Sequence, residues 1–211
     1  MRASGGAERV YLVDDEPGVL KALSRLLRSA GLEAVAFGSP EEFLARVDSS
    51  AEGCVVLDVA MPGLDGLALQ DALAARGVAL PTLFLTGHGD IPQSVRAMKK
   101  GAVDFLTKPV DDEVFLRAVR EALARGRAGR SGREELARIR SRLATLSPRE
   151  REVMAGVVAG RLNKQIAGDL GIAEKTVKVH RGRVMEKMEA DSVAELVRMA
   201  DRLGLGPRSG T

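Results

Sequence analysis

Five short apolar runs separated by stretches of helical periodicity constrain this chain more than any other feature. The runs are "VYLV" (10–13), "LEAVAF" (32–37), "CVVLD" (54–58), "TLFLT" (82–86) and "VDFLT" (103–107). Runs this short and this apolar read as strands covered on both faces. Between them, apolar residues recur at helical spacing: Val19, Leu20, Leu23, Leu26 and Leu27; Phe43, Leu44 and Val47; Leu67, Leu69 and Leu73; Val95 and Met98; Val114, Phe115, Ala118, Val119 and Leu123. Five strands alternating with five helices over residues 8–124 predict an α/β fold, a doubly wound five-stranded parallel sheet. Folds of this kind bind ligands beyond the carboxyl ends of their strands.

Those strand ends carry the chemistry. Asp14, Asp15 and Glu16 follow the first strand, Asp58 closes the third, Thr86 closes the fourth, and Lys108 follows the fifth just before Pro109. In a parallel sheet these ends lie at one edge. Converging carboxylates raise one another's pKa unless a hard cation shares them, and oxygen-only ligation suits Mg²⁺. Lys108 and the metal would neutralise an incoming phosphoryl dianion, Thr86 would hydrogen-bond it, and one carboxylate would be the nucleophile. Glu16 reads as a helix first-turn residue outside the site. His88 reads as a surface loop residue, because no second histidine or cysteine lies at metal spacing.

Beyond residue 124 the character changes. Residues 1–124 hold thirteen Lys and Arg against eighteen Asp and Glu, a net of −5, whereas residues 125–211 hold nineteen against eleven, a net of +8. A basic C-terminal part beside an acidic N-terminal part suggests a nucleic-acid-binding module, although charge alone also allows a merely solvated basic surface. Residues 125–142, "RGRAGRSGREELARIRSR", read as a glycine-rich hinge followed by a short charged helix. Residues 143–205 show helices only. Ser147, Pro148 and Glu150 form a capping box, and Ser192 with Glu195 repeats it. Between these boxes, Ile166, Ala167 and Leu170, a turn at Gly171, then Val177, Val184 and Met188 have helix-turn-helix spacing. Lys175, Lys178, Val179 and Gly182 share another face of the second helix. The lone cysteine, Cys54, lies in an apolar run and reads as a buried thiol. The chain lacks an apolar window of about 18 residues, and its first ten residues lack the core of a secretory signal, so a soluble cytoplasmic protein is expected.

The segments "LVDDEP", "VVLDVAMPGLDG", "FLTGHGD" and "DFLTKP" stand in the order and spacing of the receiver domain of two-component response regulators, and residues 8–124 resemble it throughout. The resemblance implies a flavodoxin-like receiver in which Asp58 accepts a phosphoryl group from a sensor histidine kinase. It implies Mg²⁺ held by Asp15, Asp58 and the backbone carbonyl of Ala60, with Asp14 acting mainly through water. Thr86 and Lys108 would bind the phosphoryl oxygens, and Phe105 would be the aromatic that follows Thr86 on activation. Residues 145–204 resemble the LuxR-type helix-turn-helix, and the whole chain is most similar to the FixJ-like branch. The shared face of the second helix should then enter the major groove of double-stranded DNA, with Lys178 and Val179 at base edges and Arg181 and Arg183 flanking. Lys164, Lys175 and Thr176 would meet phosphates.

Ala173 stands where relatives often place a serine cap, which forgoes roughly 1 kcal/mol. Gly182 inside the helix costs about 1 kcal/mol against alanine, so this helix is expected to be marginal until DNA or a partner protomer orders it. The resemblance further implies a homodimer when phosphorylated and contact with RNA polymerase, in a regulator that is not an enzyme. Two rivals are a constitutive DNA-binding protein whose receiver is only a dock, and an aspartate-nucleophile phosphatase. The second usually shows Asp-x-Asp at the first strand end and a substrate cap. This sequence offers neither.

Overall fold

A computed structural model describes residues 9–87 and 91–206, so the expectation for His88 lies outside the described residues. The chain divides into two compact units, residues 1–130 and 131–211. The first contains β1 (Arg9–Val13), α1 (Pro17–Ser29), β2 (Glu33–Phe37), α2 (Pro40–Arg46), β3 (Gly53–Asp58), α3 (Gly66–Ala75), β4 (Thr82–Thr86), α4 (Ile91–Lys99), β5 (Asp104–Thr107) and the start of α5 (Asp112–Ala144). The strands form one parallel sheet in the order β2-β1-β3-β4-β5. Successive residues of a strand face opposite sides, and the apolar runs accordingly feed two cores. Tyr11, Val13, Val55, Leu57 and Phe84 enter one, while Val10, Leu12, Cys54, Val56, Leu83 and Leu85 enter the other. This is why the runs are apolar at nearly every position. The register pairs Val13 with Leu57 and Thr86 with Thr107, which brings the carboxyl ends to one edge.

Two segments add to the pattern read from the sequence. Val95 and Met98, whose spacing marks α4, are each 46% exposed, and among the described side chains of α4 the buried one is Ala97. Ala97 belongs to the core cluster that includes Phe84 and Ala102, so a small side chain lets α4 approach the sheet while the larger pair faces out. The glycine-rich stretch, expected as a hinge before a short charged helix, is itself helical, and α5 runs through residues 125–142 without a break. Gly126 serves close approach: a Cβ there would meet the Gly53 carbonyl oxygen at 3.0 Å and Pro81 at 3.5 Å. Arg130 pairs with Glu52, and Arg125 pairs with Glu121 one turn away. Farther along, Glu135 pairs with Arg138 and Ile139 is almost wholly buried, so tertiary contacts outweigh the glycines' low helix propensity.

The second unit contains the end of α5, α6 (Pro148–Val158), α7 (Asn163–Leu170), α8 (Glu174–Met188) and α9 (Val193–Arg202). Val153, Val157, Ile166, Val177, Val184, Met188, Leu196 and Ala200 form its core. The predicted box at Ser147 is complete: Glu150 N–H donates to Ser147 Oγ at 3.2 Å and Ser147 N–H donates to Glu150 Oε2 at 2.8 Å. The second box is half formed. Glu195 N–H donates to Ser192 Oγ, but the Glu195 carboxylate accepts from Asp191 N–H instead of Ser192 N–H. Among the described residues no helix is long and apolar enough to cross a membrane.

Candidate functional site

At the carboxyl edge of the sheet, Asp14, Asp15 and Asp58 each present a carboxylate oxygen, and the three oxygens lie within 4.8 Å of one another. Asp14 and Asp58 are buried, at 4% and 5% exposure, and Asp15 faces solvent. Asp14 is pinned by its neighbours: its Oδ1 accepts from Glu16 N–H at 2.8 Å and its Oδ2 from Lys108 Nζ at 2.7 Å. Asp58 is different. Its Oδ1 is buried without a hydrogen-bond partner, and Lys108 Nζ stands 3.5 Å away, too far for an ordinary hydrogen bond.

Burial is the main reason the Asp58 carboxyl lies above the usual carboxylate range; the Lys108 ammonium opposes this and the Asp14 charge adds to it. Mutual repulsion is therefore secondary to desolvation at Asp58. Burial draws the Lys108 ammonium down, but hydrogen bonds to Asp14 and Glu16 together with the charges of Asp14 and Asp58 outweigh it, leaving the pKa raised. Lys108 is a fixed cation among carboxylates.

Thr86 is 1% exposed at the end of β4, and its carbonyl accepts from Lys108 N–H at 2.7 Å, which ties the ends of β4 and β5 together. Phe105 is half-buried, with its ring centroid 6.0 Å from that of Phe84 at a tilt of 37°. It packs at the edge of the core and not within it. Ala60 is exposed just past β3. An orphaned buried carboxylate oxygen beside two more carboxylates is an all-oxygen donor set that fits a hard divalent cation.

Sequence reasoning missed two residues here. Glu16, left outside the site, is the N-cap of α1, makes no side-chain cap bond, and accepts from Lys108 Nζ at 3.1 Å. Its carboxylate type and adjacency to Asp14–Asp15 were visible, but its aim across to a residue 92 positions away was not. Gly66, the last glycine of "DVAMPGLDG", opens α3 directly against Asp58: a Cβ there would lie 2.2 Å from the Asp58 carbonyl oxygen.

In the second unit, α7, Gly171 in the left-handed region (φ +63°) and α8 form the helix-turn-helix. Val177, Val184 and Met188 are fully buried, and Lys175, Thr176, Lys178, Val179, Gly182 and Arg183 are exposed on α8, with Lys164 exposed on α7. Val179 is 48% exposed, an apolar side chain among cations. Lys178 stands 3.6 Å from Glu174 one turn back, a surface pair that contributes a few tenths of a kcal/mol at about 0.3–0.5 and yields readily to a phosphate. Arg181, expected to flank the base edges, also has a partner within the unit. It is half-buried and donates to Asn163 Oδ1 at 3.1 Å, tying α8 to α7. His180 is half-buried, and its Nδ1 is shielded from solvent.

Ala173 makes no side-chain cap bond, as expected. Three fully buried anchors, Val177, Val184 and Met188, nevertheless hold α8 as a continuous 15-residue helix, which offsets the missing cap. A Cβ at Gly182 would meet nothing within 4 Å. Gly182→Ala is therefore expected to stabilise the helical unit by about 0.5–1 kcal/mol, read as a raised thermal midpoint of the full chain; a lowered midpoint would contradict the packing described.

Comparison with known proteins agrees with this geometry. Residues 10–120 match the family described as response regulator receiver domain, and residues 144–200 match bacterial regulatory proteins of the luxR family. Nodulation protein W of Bradyrhizobium diazoefficiens is 50% identical over 93% of this chain and 86% of its own. Transcriptional regulatory protein FixJ of Azorhizobium caulinodans is 47% identical over 94% of each chain. Among solved structures, the response regulator StyR superposes with a TM-score of 0.83 at 42% identity, covering 93% of this chain and all of its own.

Proposed function

This chain belongs to the response-regulator family, as a receiver joined to a luxR-type DNA-binding domain in a transcriptional response regulator, and from that premise we propose that Asp58 is its phosphoacceptor. The observation that carries the reading is the Asp58 carboxylate itself: buried, raised in pKa, one oxygen without a hydrogen bond, and a fixed lysine 3.5 Å away. A nucleophile needs a free lone pair, and a transferred dianion needs a cation already in place.

The donor is a sensor histidine kinase. Asp58 attacks the donor phosphorus, the bond from phosphorus to the donor nitrogen breaks, and the electron pair leaves on that nitrogen. Asp15, Asp58 and the Ala60 carbonyl would hold Mg²⁺, with Asp14 acting through water. Bound there, the metal supplies positive charge to the phosphoryl oxygens. Lys108 and Thr86 bind those oxygens, and Phe105 follows Thr86.

The outward pair Val95 and Met98, each 46% exposed on α4, supports a homodimer formed through the face of α4, β5 and α5 once Asp58 is phosphorylated. The dimer presents α8 to the major groove of a two-fold promoter site, Lys178 and Val179 at base edges, with Lys164, Lys175, Thr176 and Arg183 on or near phosphates. Arg181 acts through its Asn163 contact. The protein works in the cytoplasm and passes its signal to RNA polymerase.

Asp58→Asn tests this reading. It is expected to abolish phosphoryl uptake from acetyl phosphate, and with it any donor-dependent gain in dimerisation and promoter binding. The same variant should be more thermostable at neutral pH. A carboxyl whose folded pKa is raised favours folding below its unfolded value near 3.8 and loses that contribution as pH rises through the folded value. Asparagine carries no charge to desolvate, so its advantage should be present at pH 7 and shrink below the ordinary carboxyl pKa. Equal dimer and DNA affinity of wild type with and without acetyl phosphate would sink the switch.

A further inference from the structure

The mouth of the site has a feature that phosphoryl acceptance does not require. Lys108 Nζ has three N–H bonds, and two of them are taken, by Asp14 at 2.7 Å and by Glu16 at 3.1 Å. The third remains for the Asp58 side, 3.5 Å distant. Asp14 is buried, but the Glu16 side chain is 62% exposed, so the second carboxylate on this lysine stands in water at the entrance. Glu16 and Lys108 both line an open groove of about 900 Å³ between α1 and the β5–α5 connection. The other charged lining residues, Arg25 and Asp112, are of opposite sign. A donor approaching Lys108 from this groove passes a negative charge that is not buried and makes no side-chain cap bond.

We propose that Glu16 is a specificity-determining residue of the phosphoryl-accepting site, which disfavours small phosphodonors in proportion to their negative charge. The inference rests on the reading of Asp58 as phosphoacceptor. A phosphoryl oxygen on Lys108 would share that ammonium with the Glu16 carboxylate, so the two anions would be neighbours, and the repulsion grows with each charge the donor brings. At surface dielectric such a pair changes a rate severalfold, and salt weakens it. Acetyl phosphate, a dianion, and phosphoramidate, a monoanion at neutral pH, separate this effect from chemistry. In the first, Asp58 attacks phosphorus and the P–O bond breaks with its pair leaving on acetate. In the second, the P–N bond breaks with its pair leaving on ammonia. The phosphorylated product is the same.

The experiment measures initial rates of Asp58 phosphorylation in the full-length chain with each donor at saturating Mg²⁺. The proteins are wild type, Glu16→Gln and Glu16→Lys, with Asp58→Asn as blank and Mg²⁺ affinity measured in parallel by calorimetry. Glutamine keeps an oxygen for Lys108 and removes the charge. The ratio of acetyl phosphate to phosphoramidate rates is expected to rise about threefold in Glu16→Gln, further in Glu16→Lys, and the gain should fade at high salt. A merely structural role would change both donors alike, so a ratio unmoved in both variants overturns the assignment of Glu16 while leaving Asp58 as acceptor. Wild type that accepts phosphate at Asp58 from neither donor overturns both readings. Unchanged circular dichroism of the variants, expected because Glu16 makes no cap bond, confirms that the ratios compare folded proteins.

Discussion

Gly66→Ala is expected to abolish phosphoryl uptake at Asp58 without altering a single charged group of the site. Gly66 is the first residue of α3, after Asp65, whose Oδ1 accepts from Ala68 N–H at 2.6 Å. Its own N–H donates to the Val59 carbonyl at 3.1 Å, so the helix start is bonded to the backbone that carries Asp58. An added Cβ would sit 2.2 Å from the Asp58 carbonyl oxygen, 3.1 Å from its carbon and 3.2 Å from Val59 Cα. All three are backbone atoms. No rotamer relieves the clash; either α3 withdraws from β3 or the Asp58–Val59 peptide moves, and each displaces the carboxylate from Asp14 and Lys108. Overpacking of this kind costs roughly 1–3 kcal/mol and more where the neighbours are backbone. Gly18→Ala in α1, where a Cβ would meet nothing within 4 Å, is the control and should be neutral or mildly stabilising. Phosphorylation by acetyl phosphate and a thermal melt of both variants decide the matter: a Gly66→Ala protein that melts and accepts phosphate as wild type does would show that α3 is not fixed against Asp58.

The contrast between Gly66 and Gly126 on one side and the strand ends on the other explains what the sequence could disclose. A strand buried on both faces must be apolar at nearly every position, so five such runs announce a parallel sheet, and parallel strands must end at a common edge. Asp14, Asp58, Thr86 and Lys108 were therefore legible as a group before any coordinates. Glycine is not legible in this way. The same residue marks flexibility, a positive φ or a close approach, and only the neighbour distinguishes them: the Gly53 carbonyl behind Gly126, and the Asp58 carbonyl behind Gly66. The inward face of α4 and the direction of Glu16 are hidden for a related reason. Periodicity says which residues share a side of a helix, and it places Val95 with Met98 correctly; it does not say which side meets the sheet, where the small Ala97 fits better than either. Glu16 was read from its position at a helix start, but the ion pair that uses it comes from the far end of β5.

Glu150→Gln should weaken the DNA-binding unit in a way that depends on pH, and the direction follows from the contacts. Glu150 is 3% exposed although it is charged. Lys187 Nζ donates to its Oε2 at 2.6 Å, and Ser147 N–H donates to the same oxygen at 2.8 Å. The Lys187 hydrogen bond first, and the Ser147 N–H after it, hold the carboxyl from its ordinary 4.5 down to about 2. A depressed carboxyl pKa contributes stability that is fully present above the unfolded value and is lost as pH falls through the folded one. The contribution is thus complete at pH 7 and fades between about 4.5 and 2. Lys187 lies in the last turn of α8 and Glu150 in the first turn of α6, so this pair fixes the end of α8 against the helix start that the capping box secures. Glutamine preserves the shape and can still accept from Ser147 N–H and Lys187 Nζ, but it removes the negative charge opposite the Lys187 ammonium, which also donates to the Thr145 carbonyl at 3.3 Å. Calorimetry of the full-length chain should show Glu150→Gln melting below wild type at pH 7, the gap closing as pH approaches 2, and promoter affinity falling because α8 is less firmly held. A gap that stays constant from pH 7 to pH 2 would mean that the carboxylate acts by shape alone and that its charge does nothing to hold α8 in place.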